Sequence, residues 1–284
     1  MAYLGNPSKT DEILKKYNLS AQKRYGQNFL VDSNILEKIV KSADISKEDT
    51  VLEIGPGIGA LTQYLCESAK EVICVEIDSK MIPVLEDTLS DYSNVTVINE
   101  DVLKLDIANL LKEKGIDKIK VVANLPYYIT TPIIMGLLEN GAPVESITVM
   151  IQKEVAQRMQ VGPGSKDYGA LSLAVAYYCE AEVKMTVSAN CFIPRPNVDS
   201  AVIKLEKLKK PRVEVKDSAL MYRIIKGAFE QRRKTLTNAL SHSSAFKTDK
   251  NRVEEALLIM GKNINIRGEE LTIEEFAQLS DLLG

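Results

Sequence analysis

Thr50-Val51-Leu52-Glu53-Ile54-Gly55-Pro56-Gly57-Ile58-Gly59-Ala60-Leu61-Thr62 is the stretch that decides how this chain folds. Thr50 to Ile54 is a short apolar run rich in β-branched residues, which predicts a buried strand. Gly55, Gly57 and Gly59 alternate through a turn, and residues 60–66 resume with helical spacing. Strand, glycine turn and helix make an edge where backbone approaches a ligand with no Cβ in the way. The first N–H groups of the helix point at that ligand. Such a turn suits a dinucleotide, another adenosine cofactor or a plain tight connection, and three glycines do not choose among them.

Working outward, strand and helix patterns alternate. Strands are predicted at 50–54, 71–75, 95–98, 119–123, 146–151, 182–187 and 201–205, with helices at 60–66, 79–89, 107–114 and 132–139 between the first five. Repeated β-α units imply a mainly parallel sheet covered on both faces, hence an α/β fold. No helix separates the last two strands, which predicts antiparallel pairing at the sheet edge. Two more helices fall at 153–159 and 170–176. Towards the N-terminus, Asp32 or Ser33 caps a helix that runs to Ser42. After 208–216, an exposed linker containing Pro211, the strand pattern stops and four helices follow. The expected organisation is therefore a domain over 1–207 and a small helical domain over 208–284.

Composition excludes several classes. No apolar run reaches the roughly 18 residues of a membrane span. The N-terminus lacks an apolar signal core, so a cytoplasmic location is expected, with no membrane partner. The four cysteines show no C-x-x-C spacing and His242 is the one histidine, so no metal is expected. Net charge is −3, yet residues 204–250 hold 13 Lys/Arg against 5 Asp/Glu. A basic band on an acidic protein points to a polyanionic partner.

The strand ends carry the chemistry. Glu76 closes the second strand about 20 residues after the glycine turn, where a carboxylate grips the ribose hydroxyls of an adenosine cofactor. Asp101 follows the third strand, where it can accept from an adenine amino group. The fourth ends in Asn124-Leu125-Pro126-Tyr127. An exocyclic base amine is a poor nucleophile because its lone pair is delocalised into the ring. The Asn124 side-chain carbonyl and the Leu125 main-chain carbonyl are suited to accept both N–H hydrogens and expose that lone pair. Pro126 stiffens the turn, and Tyr127 offers a ring for a base to stack on.

These segments, LEIGPGIGALT, Glu76, EDVLKLD and NLPYYIT, together with FIPRPNVDSAV at 192–202 and RRKTLTNAL at 232–240, resemble the ribosomal RNA adenine N6-dimethyltransferases. The resemblance runs from Gln22 to the C-terminus. It is strongest to the small-subunit branch, which dimethylates two adjacent adenosines near the 3′ end of bacterial 16S rRNA. It implies a Rossmann-like class I methyltransferase fold with a seven-stranded sheet, and S-adenosylmethionine as cofactor. It implies that Asn28, Leu30, Gly55, Glu76, Asp101 and Asn124 surround that cofactor. It also implies that Phe192 presents an aromatic ring to the target base, opposite Tyr127.

The densest part of the basic band, Arg223, Lys226, Arg232, Arg233 and Lys234, is expected to bind phosphates of 16S rRNA in the small subunit, with the 207–216 linker adding to it. The protein is expected to act as a monomer. Two competing readings are a large-subunit rRNA adenine methyltransferase and a ribosome-assembly factor on a methyltransferase scaffold. A dehydrogenase lacks a hydride-transfer acid or base at the strand ends.

Overall fold

The computed structural model describes residues 3–19, 22 and 25–284. In chain order its elements are α1 (Pro7–Lys16), β1 (Phe29–Leu30), α2 (Ser33–Ser42), β2 (Thr50–Ile54), α3 (Ala60–Ser68), β3 (Glu71–Glu76), α4 (Ile82–Thr88) and β4 (Val95–Asn99). Then come α5 (Ile107–Glu113), β5 (Ile119–Asn124), α6 (Thr130–Glu139), β6 (Val144–Gln152), α7 (Lys153–Arg158), α8 (Ala170–Tyr178), β7 (Cys179–Val187), β8 (Phe192–Ile193) and β9 (Ser200–Lys207). Last are α9 (Ser218–Glu230), α10 (Leu236–Ser241), α11 (Lys250–Ile259) and α12 (Ile273–Leu283). The chain forms two compact units, 1–156 with 181–207, and 157–180 with 208–284.

The first unit holds a seven-stranded sheet in the order β4-β3-β2-β5-β6-β9-β7. The five strands from β4 to β6 are parallel, in register from Val51↔Val72 and Glu76↔Asn99 to Asn124↔Met150. β2 lies inside the sheet, buried along Val51 to Ile54, which is why its sequence is apolar but for Glu53. β9 runs antiparallel to β6, with Met150 opposite Val202. As expected of the last two long strands, β9 and β7 are hydrogen-bonded neighbours at this end of the sheet, with β7 outermost. Its alternating exposure is what an edge strand with one wet face shows. A two-stranded ribbon pairs β1 with β8, Leu30 opposite Phe192. Asp32 caps α2, its carboxylate accepting from the N–H groups of Asn34 and Ile35.

The second unit takes more of the chain than expected. Residues 157–180 pack with it, because Tyr168, Leu173 and Tyr177 share a core with Met221, Ile224, Leu236, Val253 and Phe276. α8 is apolar nearly all round, so its periodicity does not indicate which core it enters. The presumed linker is also held: Leu208 N–H donates to the Tyr178 carbonyl, Arg212 N–H to that of Tyr177, and Arg212 Nε to that of Ala176 at 2.7 Å. Among the described residues no helix is long and apolar enough to cross a membrane.

Candidate active site

Parallel strands place their carboxyl ends on one side of the sheet, and the chain leaves β2 and β5 in opposite lateral directions. That switch of direction opens a crevice. In space the ends follow the order β4, β3, β2, β5, so the residues at or just beyond them read Asp101, Glu76, Gly55, Asn124. Three strand spacings make this row roughly 14 Å long. One cavity runs along it, enclosing about 1070 Å³ with its open mouth included. Asn28, Leu30, Gly55, Glu76, Asp101, Asn124, Leu125, Pro126 and Tyr127 all line it.

The glycine turn is built by backbone conformation. Gly55, Gly57 and Gly59 have φ of +69°, +59° and +89°, where a side chain would be strained. A Cβ on Gly55 would project into open space, so that position keeps room for a ligand. Glu76 ties the turn to the next strand: one carboxylate oxygen accepts from Gly57 N–H at 3.1 Å, the other from Asp78 N–H at 2.8 Å. Burial raises its pKa, and the two N–H groups oppose that rise. Asp101 accepts from Leu103 N–H at 3.0 Å, which fixes its carboxylate in the loop after β4.

At the other end, Asn124 Nδ2 donates to the Asn28 carbonyl at 3.1 Å, and Asn28 Nδ2 donates to the Gly26 carbonyl at 3.0 Å. Leu125 N–H donates to Met150 O, extending the ladder by one bond. Pro126 O accepts from the Thr130 hydroxyl at 3.1 Å, locking the turn onto α6. The hydroxyls of Tyr127 and Ser200 share a 2.6 Å hydrogen bond that fixes the tyrosine ring.

The cavity suits the cofactor that the resemblance implies. It has a carboxylate where ribose hydroxyls need acceptors, space opposite Gly55 where no Cβ intrudes, and apolar walls at Leu30 and Ile54. Phe192 is the exception among the expected site residues. It is 3% exposed, packed in the core with Phe29, Leu30 and Val202, and does not line the cavity. Pairing of β8 with β1 carries it into the core, against Phe29 and Leu30, which themselves line the cavity.

Three further lining residues stand out. Tyr25 and Tyr128 stand at the mouth, Tyr128 56% exposed. The doubled tyrosine of NLPYY was the available signal. Glu53 is the third, a carboxyl in the middle of an apolar strand, 2% exposed and accepting from Cys74 Sγ at 3.6 Å. Burial pushes its pKa up to about 7. As pH rises from about 4.5 the unfolded carboxyl loses its proton while the folded one keeps it, so stability falls until about pH 7 and then levels off. Glu53→Gln is expected to flatten this decline by about 2 kcal/mol between pH 5 and 7, as measured by urea unfolding of both proteins across that range. The rise at Glu76 is common to both proteins and cancels in the comparison.

The basic residues divide into two groups. Arg232 Nη2 donates to the carbonyls of Lys166 and Tyr168 at 2.7 and 2.6 Å, and Arg223 Nε donates to Ala245 O at 3.1 Å over the Phe246 ring. Both are exposed, yet each is tied by its side chain to loop carbonyls. Lys226, Arg233 and Lys234 are exposed and form no ion pair with a described residue. Charge density along the sequence does not separate the two groups, because both lie in one basic band.

Comparison with known proteins agrees over the full length. Residues 18–283 match the family described as ribosomal RNA adenine dimethylase. A Lachnoclostridium phytofermentans protein named Ribosomal RNA small subunit methyltransferase A is 58% identical over 100% of this chain and 98% of its own. One of the same name from Alkaliphilus metalliredigens is 54% identical over 97% and 96%. Among solved structures, a dimethyladenosine transferase from Plasmodium falciparum aligns with a TM-score of 0.72 and 26% identity, covering 87% of this chain and 94% of its own. The 23S rRNA methyltransferase ErmE aligns with a TM-score of 0.65 and 28% identity, covering 90% and 99%. The sheet order, the row of strand-end residues and these matches agree: the chain belongs to the ribosomal RNA adenine dimethylase family.

Proposed function

We propose that this protein dimethylates N6 of two adjacent adenosines in the loop of the 3′-terminal hairpin of 16S rRNA, acting as a cytoplasmic monomer on the small ribosomal subunit during its biogenesis. The observation that carries this reading is the commitment of the Asn124 amide N–H₂ to the Asn28 carbonyl. The side chain is thereby oriented with its carbonyl oxygen as the acceptor available to an adenine amine. The small-subunit assignment draws on the names of the relatives at 58% and 54% identity.

S-adenosylmethionine, when bound, supplies a methyl group on a positively charged sulfur that departs as a neutral thioether. Asp101 would hold the adenine amino group and Glu76 the ribose hydroxyls. Each Glu76 oxygen already accepts one N–H and keeps a second lone pair for a hydroxyl. Gly55, Asn28 and Leu30 would hold the methionine part. Asn124 Oδ1 and the Leu125 carbonyl accept the two N6 hydrogens, which holds the nitrogen nearer tetrahedral geometry with its lone pair free. Tyr127, its hydroxyl held by Ser200, supplies the face on which the extruded base stacks. The methylated nitrogen is acidic and gives its proton to water, so these residues need not include a strong base. In the second transfer only one N6 hydrogen remains, and one of the two carbonyls goes without its donor.

Lys226, Arg233 and Lys234 would contact phosphates. Neutralising Arg233 and Lys234 is expected to weaken rRNA binding and lower its salt slope by about 1–2, with S-adenosylhomocysteine affinity unchanged. Filter binding at several salt concentrations and calorimetry measure the two. For the function itself, purified protein with separated ribosomal subunits should label the small subunit alone. Mass spectrometry of rRNA digests should show N6,N6-dimethyladenosine lost from 16S rRNA in cells lacking the protein. Labelling of the large subunit would transfer the assignment to the 23S reading.

A further inference from the structure

Arg232 differs from its neighbours in the basic run because its side chain, although 41% exposed, is bonded to a loop of the protein itself. The two hydrogens of Nη2 go to two carbonyls of one loop, those of Lys166 and Tyr168. Its guanidinium lies 5.8 Å from the centre of the Phe229 ring, and Glu269 stands 3.5 Å from Nη2. Glu269 also holds the loop through its backbone, its carbonyl accepting from Gly164 N–H at 2.9 Å. Tyr168 is buried, with its hydroxyl donating to Leu271 O at 2.9 Å. The loop 161–168 (Val-Gly-Pro-Gly-Ser-Lys-Asp-Tyr) is thus held at both Gly164 and Tyr168. Gly162, Pro163, Gly164, Lys166 and Asp167 remain exposed. Two carbonyls two residues apart, gripped by one nitrogen, fix the curvature of this loop in a way a lone ammonium on a flexible stem does not.

We propose that Arg232 is a positioning residue that clamps the 161–168 loop, and that the clamped loop presents Lys166 as a phosphate contact beside Arg233 and Lys234. Asp167 balances Lys166, so the loop adds no net charge and acts through the position of one ammonium. Small exposed residues at 162–164 let a phosphodiester backbone approach closely. The inference rests on the reading of this unit as the rRNA-binding part. It explains why two adjacent arginines have different roles: Arg232 shapes the surface, and Arg233 faces the ligand.

The test is a double-mutant cycle in the full-length protein with a transcript of the 3′-terminal hairpin of 16S rRNA, titrated from 50 to 200 mM salt. Lys166→Ala should weaken binding about three- to tenfold and lower the salt slope by about 0.7–0.9, the signature of one phosphate. Arg232→Ala should lower the slope by the same single step, and the double variant should bind no more weakly than Arg232→Ala. Trypsin should cut after Lys166 faster in Arg232→Ala than in the parent. Additive slopes would make Arg232 a phosphate contact itself and overturn the clamp. An unchanged slope in Lys166→Ala overturns the proposal by itself, and that variant decides the matter if Arg232→Ala fails to fold, since it breaks no internal side-chain bond. The Arg233→Ala/Lys234→Ala pair is the control. If it too leaves binding unchanged, the RNA-binding reading of this unit falls; if it weakens binding while Lys166→Ala does not, only the present inference falls.

Discussion

Asn124→Ala is expected to lower methyl transfer to rRNA by about 10²–10³-fold while S-adenosylhomocysteine binding changes by less than tenfold. The side chain belongs to the turn that ends β5, and its Nδ2 donates to Asn28 O. Alanine removes the carbonyl that would accept from the adenine amine and leaves only the Leu125 main-chain carbonyl for that task. It also takes a donor from the Asn28 carbonyl, which costs about 1 kcal/mol of stability. The rate loss should sit in kcat, because the lost interaction matters most once the nitrogen has left the plane of its ring. Single-turnover transfer of a labelled methyl group, beside calorimetric titration of S-adenosylhomocysteine, separates the two effects. Transfer at the parental rate would sink the lone-pair account.

Glu76→Ala should have the opposite signature. Cofactor affinity is expected to fall by about 10²-fold, from the loss of a charged acceptor for ribose hydroxyls and the release of Gly57 N–H. The carboxylate is 4% exposed and bridges the glycine turn and Asp78, so the substitution also loosens the turn. Transfer should recover substantially at saturating S-adenosylmethionine. Titration of S-adenosylhomocysteine and kcat at high cofactor concentration are the measurements. An unchanged Kd with a lowered melting temperature would make Glu76 only a brace for the glycine turn.

Much of this was legible in the residue pattern because it depends on local chemistry. β-branched runs, glycines at positive φ and an aspartate N-cap form the same elements wherever they occur. The bounds of β2 and the cap of α2 therefore match expectation. Phe192 and Arg232 illustrate what was not legible. A phenylalanine before an extended proline segment looks available to a base, but its exposure is set by the β1–β8 ribbon, a pairing across more than 160 residues. An arginine in RRK looks like a phosphate contact, but two carbonyls from residues 166 and 168 claim its Nη2 hydrogens. Glu53 is illegible for the same reason, since its pKa depends on burial that only packing creates.

The order of the site shows the division most clearly. By itself the sequence determined which groups stand at the strand ends: Gly55, then Glu76, Asp101 and Asn124. The tertiary structure decided their order in space, Asp101, Glu76, Gly55, Asn124, because β3 and β4 are laid on one side of β2 and β5 on the other. Crossover connections between parallel strands have a fixed hand, and a sheet covered on both faces must reverse its direction of winding once. That reversal puts the glycine turn next to Asn124, and so sets the residues suited to a methyl donor beside those suited to its acceptor.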